Sequence, residues 1–146
     1  HPPSGTIWAG GNKIGSYKKH IKTSFTKISS RNIPKEGPSI AISKHHIGPK
    51  LEQWLSSIVF FEKMKVGSAL KFTLIAEGKA DIFPRTSPTY EWDSAAGEAI
   101  IKGAGGYVTQ MNNKDMVYGR EDKKNPNFIA FGRPNWTKFL KEDSSG

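Results

Sequence analysis

The apolar positions along the chain fall into short strand-like runs, separated by stretches of helical spacing. Thr6-Ile7-Trp8-Ala9 and Lys13-Ile14-Gly15-Ser16-Tyr17 flank Gly10-Gly11-Asn12, which predicts a hairpin. Residues 39–43, 58–64, 80–84, 107–110 and 128–131 predict buried strands, with a further short strand over 116–118. Helical spacing appears at 49–57, where Leu51, Trp54 and Leu55 recur and Pro49 sits near the first turn. It appears again at 69–77, with Leu70, Leu74 and Ile75 inward and Gly78 as the stop. A third helix over about 92–104 starts at Asp93 and ends in Gly103-Ala104-Gly105-Gly106, with Ala95, Ala96, Ala99 and Ile100 on one face. A short helix over 135–140 follows Pro134. Strands and helices alternate through most of the chain, so the expected fold is α/β, a layered mixed sheet with helices.

Composition narrows this picture. A chain of 146 residues suffices for one domain with a real core. Fifteen glycines and nine prolines favour turns and short strands over a helix bundle. The absence of cysteine excludes disulfides and thiolate metal sites. It suits a reducing compartment, and the expected location is cytoplasmic. No apolar run approaches the roughly 20 residues that span a bilayer. His1-Pro2-Pro3-Ser4-Gly5 has neither the charged nor the apolar region of a signal peptide. The chain enters a strand almost at once without an initiator Met, so the expectation is a start within a longer protein. The domain is expected over 1–140, with 141–146 as a polar tail.

Charge is unevenly placed. The net charge is +9, and residues 1–35 hold Lys13, Lys18, Lys19, Lys22, Lys27, Arg31 and Lys35 with no acid. Such a field attracts polyanions: nucleic acid, anionic membrane or phosphorylated small molecules. A solvated basic hairpin explains it equally well. No aromatic-interleaved RNA-binding signature, zinc finger or helix-turn-helix accompanies the charge, so nucleic acid is not expected as a partner.

Common catalytic signatures do not occur. There is no Gly-x-x-x-x-Gly-Lys loop, no Gly-x-Gly-x-x-Gly after a strand and no Gly-x-Ser-x-Gly elbow. His45-His46 is an adjacent pair, poorly spaced for one metal. What remains is a set of polar residues at the ends of expected elements: Ser43 and His46 after a strand, Ser68 and Lys71 in one helical turn, Arg85 after a strand, and Asp93 at a helix start. In α/β sheets ligands sit outside the carboxyl ends of strands, beside helix N-termini. Lys71 and Arg85 suit a phosphate, and Asp93 suits a divalent cation beside it. Each has a plainer role. Ser68 can cap its helix, Lys71 can point to solvent, and Arg85 can pair with Glu91. His46 can be an ordinary loop residue, and Asp93 can cap the helix it begins.

Trp92-Asp93-Ser94-Ala95-Ala96-Gly97 resembles a signature of the magnesium-dependent, lithium-sensitive inositol monophosphatase superfamily. Ile42-Ser43-Lys44-His45-His46, Gly67-Ser68-Ala69-Leu70-Lys71-Phe72, Ala76-Glu77-Gly78 and Phe83-Pro84-Arg85 are similar to the 3'(2'),5'-bisphosphate nucleotidase branch of the CysQ type. The likeness runs from about Gly5 to about Phe131. It implies the C-terminal domain of the sugar-phosphatase fold, Mg²⁺ as cofactor, and hydrolysis of adenosine 3',5'-bisphosphate to AMP and phosphate. It further implies that Asp93 binds metal and helps orient the attacking water, and that His46, Ser68, Lys71 and Arg85 line the substrate pocket. The superfamily's helical Glu and its Asp-Pro-x-Asp-Gly-Thr loop do not occur here. The expectation is therefore a C-terminal half, inactive alone, whose partner is an N-terminal half or a second copy. The alternatives are an inositol monophosphate or sugar bisphosphate phosphatase, and a non-catalytic nucleotide- or polyanion-binding module.

Overall fold

A computed structural model describes residues 1–142 apart from His46, Phe61 and Ser68. The elements are strands β1 (Thr6–Gly11), β2 (Gly15–His20), β3 (Thr26–Ile28) and β4 (Ser39–Ile42), helix α1 (Pro49–Ser56), strand β5 (Glu62–Lys65), helix α2 (Leu70–Ala76), strand β6 (Ile82–Arg85), helix α3 (Glu91–Gly103), and strands β7 (Tyr107–Gln110) and β8 (Phe128–Phe131). Single 3-10 turns cover Pro2–Ser4 and Pro134–Phe139. No helix among the described residues is long and apolar enough to cross a membrane.

The strands form two sheets. Strands β1-β2-β3 make an antiparallel sheet, and β5-β4-β6-β8-β7 a mixed one in which β5, β4 and β6 run parallel while β8 opposes β6 and β7. Period-two alternation sorts the side chains of the larger sheet onto its two faces. Ala41, Phe83, Phe128 and Ala130 meet α2 and α3 through Phe72, Ile75, Ala76 and Ile101. Ile40, Ile42, Ile82, Ile129 and Phe131 meet Leu51 and Leu55 of α1 and Trp136 of the last 3-10 turn. The small sheet packs on the far side of α3. The order of layers is small sheet, α2 with α3, large sheet, then α1.

Two glycines set how closely α3 packs on its neighbours. A Cβ at Gly97 would overlap the Phe72 ring, so α3 lies against α2 there at a distance only glycine permits. A Cβ at Gly103 would overlap Ser16 and the carbonyls of Gly11 and Gly15. Ser16 is fully buried and donates to the Ile100 carbonyl at 2.6 Å, locking β2 to the end of α3.

Several expectations shift. The hairpin turn lies over 12–14 instead of 10–12, because Gly15 takes the left-handed conformation (φ 81°) that reverses the chain. Strand β5 starts at Glu62, while Ile58 bridges to Leu140 outside the sheet. Residues 116–118 form no strand, because Tyr118 is committed to a side-chain network with α3.

The largest correction concerns the buried face of α3. Ala95 and Ala96 are exposed, and Ser94, Glu98 and Ile101 are buried. The polar pair tolerates burial because it is fully partnered. Tyr118 Oη donates to Glu98 Oε2, Lys102 Nζ lies 2.5 Å from Glu98 Oε1, and Asn125 Nδ2 donates to Ser94 Oγ at 2.8 Å. Burial and the Glu98 hydrogen bond push the Tyr118 hydroxyl well above its ordinary range. In α2, likewise, Lys71 and Phe72 are buried while Leu74 is only half-buried.

The basic hairpin is less open than its composition implies. Glu77 accepts from Trp8 Nε1 (2.7 Å), Lys18 Nζ (2.9 Å) and Lys79 Nζ (2.7 Å), tying β1 and β2 to the end of α2. Burial alone would raise the Glu77 carboxyl, but those three donors outweigh it and hold it below the usual range.

Candidate functional site

Strands β4 and β6 are neighbours, and the chain leaves them toward opposite faces. After β4 it enters α1 on one face; after β6 it enters α3 on the other. That makes the gap between their carboxyl ends a topological switch point, where α/β sheets open a crevice. A cavity of about 400 Å³ lies there on the α2 and α3 side. Ser43, Lys71, Arg85, Thr89, Trp92 and Asp93 line its polar part. Phe72, Phe83 and Phe128 line the rest, with ring centroids 5.1–5.8 Å apart.

Of the five site residues expected from the sequence, the fold brings Lys71, Arg85 and Asp93 into this one cavity. His46 and Ser68 lie outside the described residues. Ser43, singled out with them at the end of its strand, joins the lining, and so do Thr89 and Trp92, to which sequence reasoning assigned no role. Trp92 is 68% exposed and stacks on Tyr90 at 4.8 Å with rings 5° apart, so it stands at the rim.

Lys71 is 2% exposed, which sets aside the solvent-facing reading. Its Nζ donates to the Val66 carbonyl at 3.2 Å and sits 5.2 Å from the Phe83 ring centroid. Burial pushes its ammonium down to about 8, and the Arg85 charge adds to the shift. Because the folded value lies below the ordinary 10.5, this group makes the fold more stable as pH rises from about 8 toward that value. Anion binding has the opposite slope, since it needs the charged amine. Phosphate affinity is expected to fall as pH rises above about 8. Calorimetry near pH 8 in buffers of different ionisation enthalpy should show proton uptake on binding; no uptake contradicts the assignment.

Arg85 does not pair with Glu91, whose Oε1 instead accepts the Arg120 N–H at 2.8 Å. Arg85 Nη1 donates to Ser43 Oγ at 3.3 Å, while its buried Nε has no hydrogen-bond partner among the described residues. A buried guanidinium N–H without a partner beside a cavity is a donor waiting for an acceptor.

Asp93 is the third residue of α3 rather than its cap. Its Oδ2 accepts the Tyr90 N–H at 2.8 Å, half of a capping box. The other carboxylate oxygen leaves one ligand for a cation. Among the described residues no group of three or more His, Asp or Glu is placed to hold a metal. Mg²⁺ wants six oxygens at near-octahedral geometry, several from water and more than one from carboxylates. The residues described do not fit a Mg²⁺ centre.

A mixed α/β domain with a cationic crevice at its switch point is the frame of a phosphoester-binding protein. The sequence matches the inositol monophosphatase family over residues 2–141, and the chain belongs to that family. Within it, the likeness is to the CysQ type. The 3'(2'),5'-bisphosphate nucleotidase CysQ of Escherichia coli is 39% identical over 92 residues, 62% of this chain and 37% of that protein. Its counterpart in Aggregatibacter actinomycetemcomitans is 31% identical over 134 residues, 88% of this chain and 48% of that one. The crystal structure of CysQ from Bacteroides thetaiotaomicron superposes with a TM-score of 0.79 at 27% identity, covering 90% of this chain and 55% of that one. The chain thus spans about half or less of the length of these CysQ relatives.

Proposed function

We propose that the chain is the substrate-holding half of a Mg²⁺-dependent 3'(2'),5'-bisphosphate nucleotidase, a phosphomonoester hydrolase acting on adenosine 3',5'-bisphosphate. The observation that carries this is the pairing of a buried amine, Lys71, with Arg85 and its unpartnered Nε in one cavity at the switch point. The two cations hold a phosphate, Ser43 braces Arg85, and Asp93 stands at the rim where hydrolysis would require a metal. The resemblance assigns His46 and Ser68 to the same substrate. A chain without cysteine suits the cytoplasm, where such nucleotides would be its substrates.

Metal-assisted hydrolysis needs more carboxylates than Asp93. The other ligands come from an N-terminal half. Phosphate release from adenosine 3',5'-bisphosphate with Mg²⁺ tests this, using the chain alone and mixed with a separately supplied N-terminal half of a full-length relative. Turnover is expected only in the mixture. Robust turnover by the 146 residues alone would overturn the division of labour. A non-catalytic polyanion module would instead bind nucleic acid with a steep salt slope and release no phosphate in either arm.

A further inference from the structure

The cationic cavity draws side chains from several elements. Helix α2 gives Lys71, the end of β6 gives Arg85, and the turn before α3 gives Thr89. Thr89 is neutral and half-buried, and its place is set from outside the cavity.

The loop between β7 and β8 reaches across the start of α3, and Asn125 anchors it there. Its backbone N–H donates to the Thr89 carbonyl at 2.8 Å. Its Nδ2 donates to the Tyr90 carbonyl at 2.7 Å and to Ser94 Oγ at 2.8 Å, and it shares a proton with Thr89 Oγ1 at 3.2 Å. A carbonyl only accepts, so Tyr90 fixes which end of the amide faces α3. The other end, Oδ1, is buried without a hydrogen-bond partner among the described residues. An orphaned buried oxygen costs free energy, and it is tolerated here because the α3 side requires the nitrogen.

That orientation decides what Thr89 can do. An amide nitrogen does not accept, so Thr89 Oγ1 is the acceptor in their contact. The threonine proton is left over, and none of the described residues takes it. Thr89 lines the cavity that Lys71 and Arg85 make cationic. A hydroxyl that accepts from an amide is also a stronger donor, because linked hydrogen bonds polarise one another.

We propose that Thr89 donates its hydroxyl proton to the oxyanion held by Lys71 and Arg85, and that Asn125 is the positioning residue that orients it. This rests on the phosphoanion reading of the cavity. Asn125 then acts on the anion only through Thr89.

The test titrates the full chain and its variants with inorganic phosphate and with adenosine 3',5'-bisphosphate, circular dichroism showing that each variant folds. Thr89→Val keeps the shape and removes the hydroxyl, and it should weaken both ligands by at least about tenfold, the worth of one hydrogen bond to a charged group. Thr89→Ser restores the hydroxyl and should recover most of that loss. Asn125→Leu should weaken binding in the unaltered chain and add little in the Thr89→Val background, because the two residues act as one unit. A purely structural asparagine would cause the same loss in both backgrounds, which overturns its positioning role. If Asn125→Leu does not fold, the two Thr89 variants decide alone. Unchanged affinity in Thr89→Val, or a loss that Thr89→Ser shares, overturns the inference and leaves the phosphoanion reading standing. No binding of either ligand to the unaltered chain overturns both.

Discussion

Lys71→Met is expected to weaken adenosine 3',5'-bisphosphate binding by between about ten- and a hundredfold, the worth of one charged hydrogen bond at about 1.5–3 kcal/mol. The same variant should not lower the melting temperature. Both outcomes follow from the position of the amine. It is 2% exposed, held against the Phe83 face and the Val66 carbonyl, with its charged form disfavoured by burial and by Arg85. Keeping a cation there costs stability, which a binding site tolerates and a structural site does not. Methionine matches the length of the stem and removes the buried charge. A lysine that merely filled core volume would show the reverse, with unchanged affinity. Isothermal titration and thermal unfolding of the two proteins decide it.

The largest stability effect is expected at the other end of the central strands, where β4 and β6 begin. Arg31→Ala should cost about 3–5 kcal/mol, because it strands a buried carboxylate. Asp81 is 1% exposed and takes Arg31 Nε at 3.0 Å and Nη2 at 2.8 Å, a two-pronged pair, while its Oδ2 also accepts the Ser39 N–H at 2.9 Å. That cluster joins the segment before β4 to the entry of β6, so the neighbouring strands start in register. A domain of this size has about 5–15 kcal/mol in total. The variant should therefore move the urea midpoint far down. A loss under about 1 kcal/mol would place the pair with ordinary surface bridges.

The large sheet was legible in the sequence because its physics is local. Strands β4, β6 and β8 are short, nearly continuous apolar runs bounded by polar residues, as strands buried on both faces are. That Lys71, Arg85 and Asp93 share one cavity was legible for a related reason: all three stand at element ends, and element ends converge at a switch point.

What was not legible depends on pairs far apart in the chain. Arg31 and Asp81 read as a lone cation and a strand acid, 50 positions apart. The apolar run Ala95-Ala96 suggested the inner face of α3, whereas the partners that permit burial of Ser94 and Glu98, Asn125 and Tyr118, come from a loop without periodicity. Lys71 could face a phosphate or the solvent until α2 was set against Phe83. The separation of the basic hairpin into its own sheet follows from Gly103 and Ser16 locking it onto α3, a contact no single stretch of sequence displays.

The central claim is that this chain carries the phosphate-holding side of a nucleotidase site and not its metal side. Titration of the unaltered chain with adenosine 3',5'-bisphosphate, once with Mg²⁺ and once with a chelator, tests it most directly. The same affinity in both conditions is the predicted result. Binding that appears only with Mg²⁺ would contradict it.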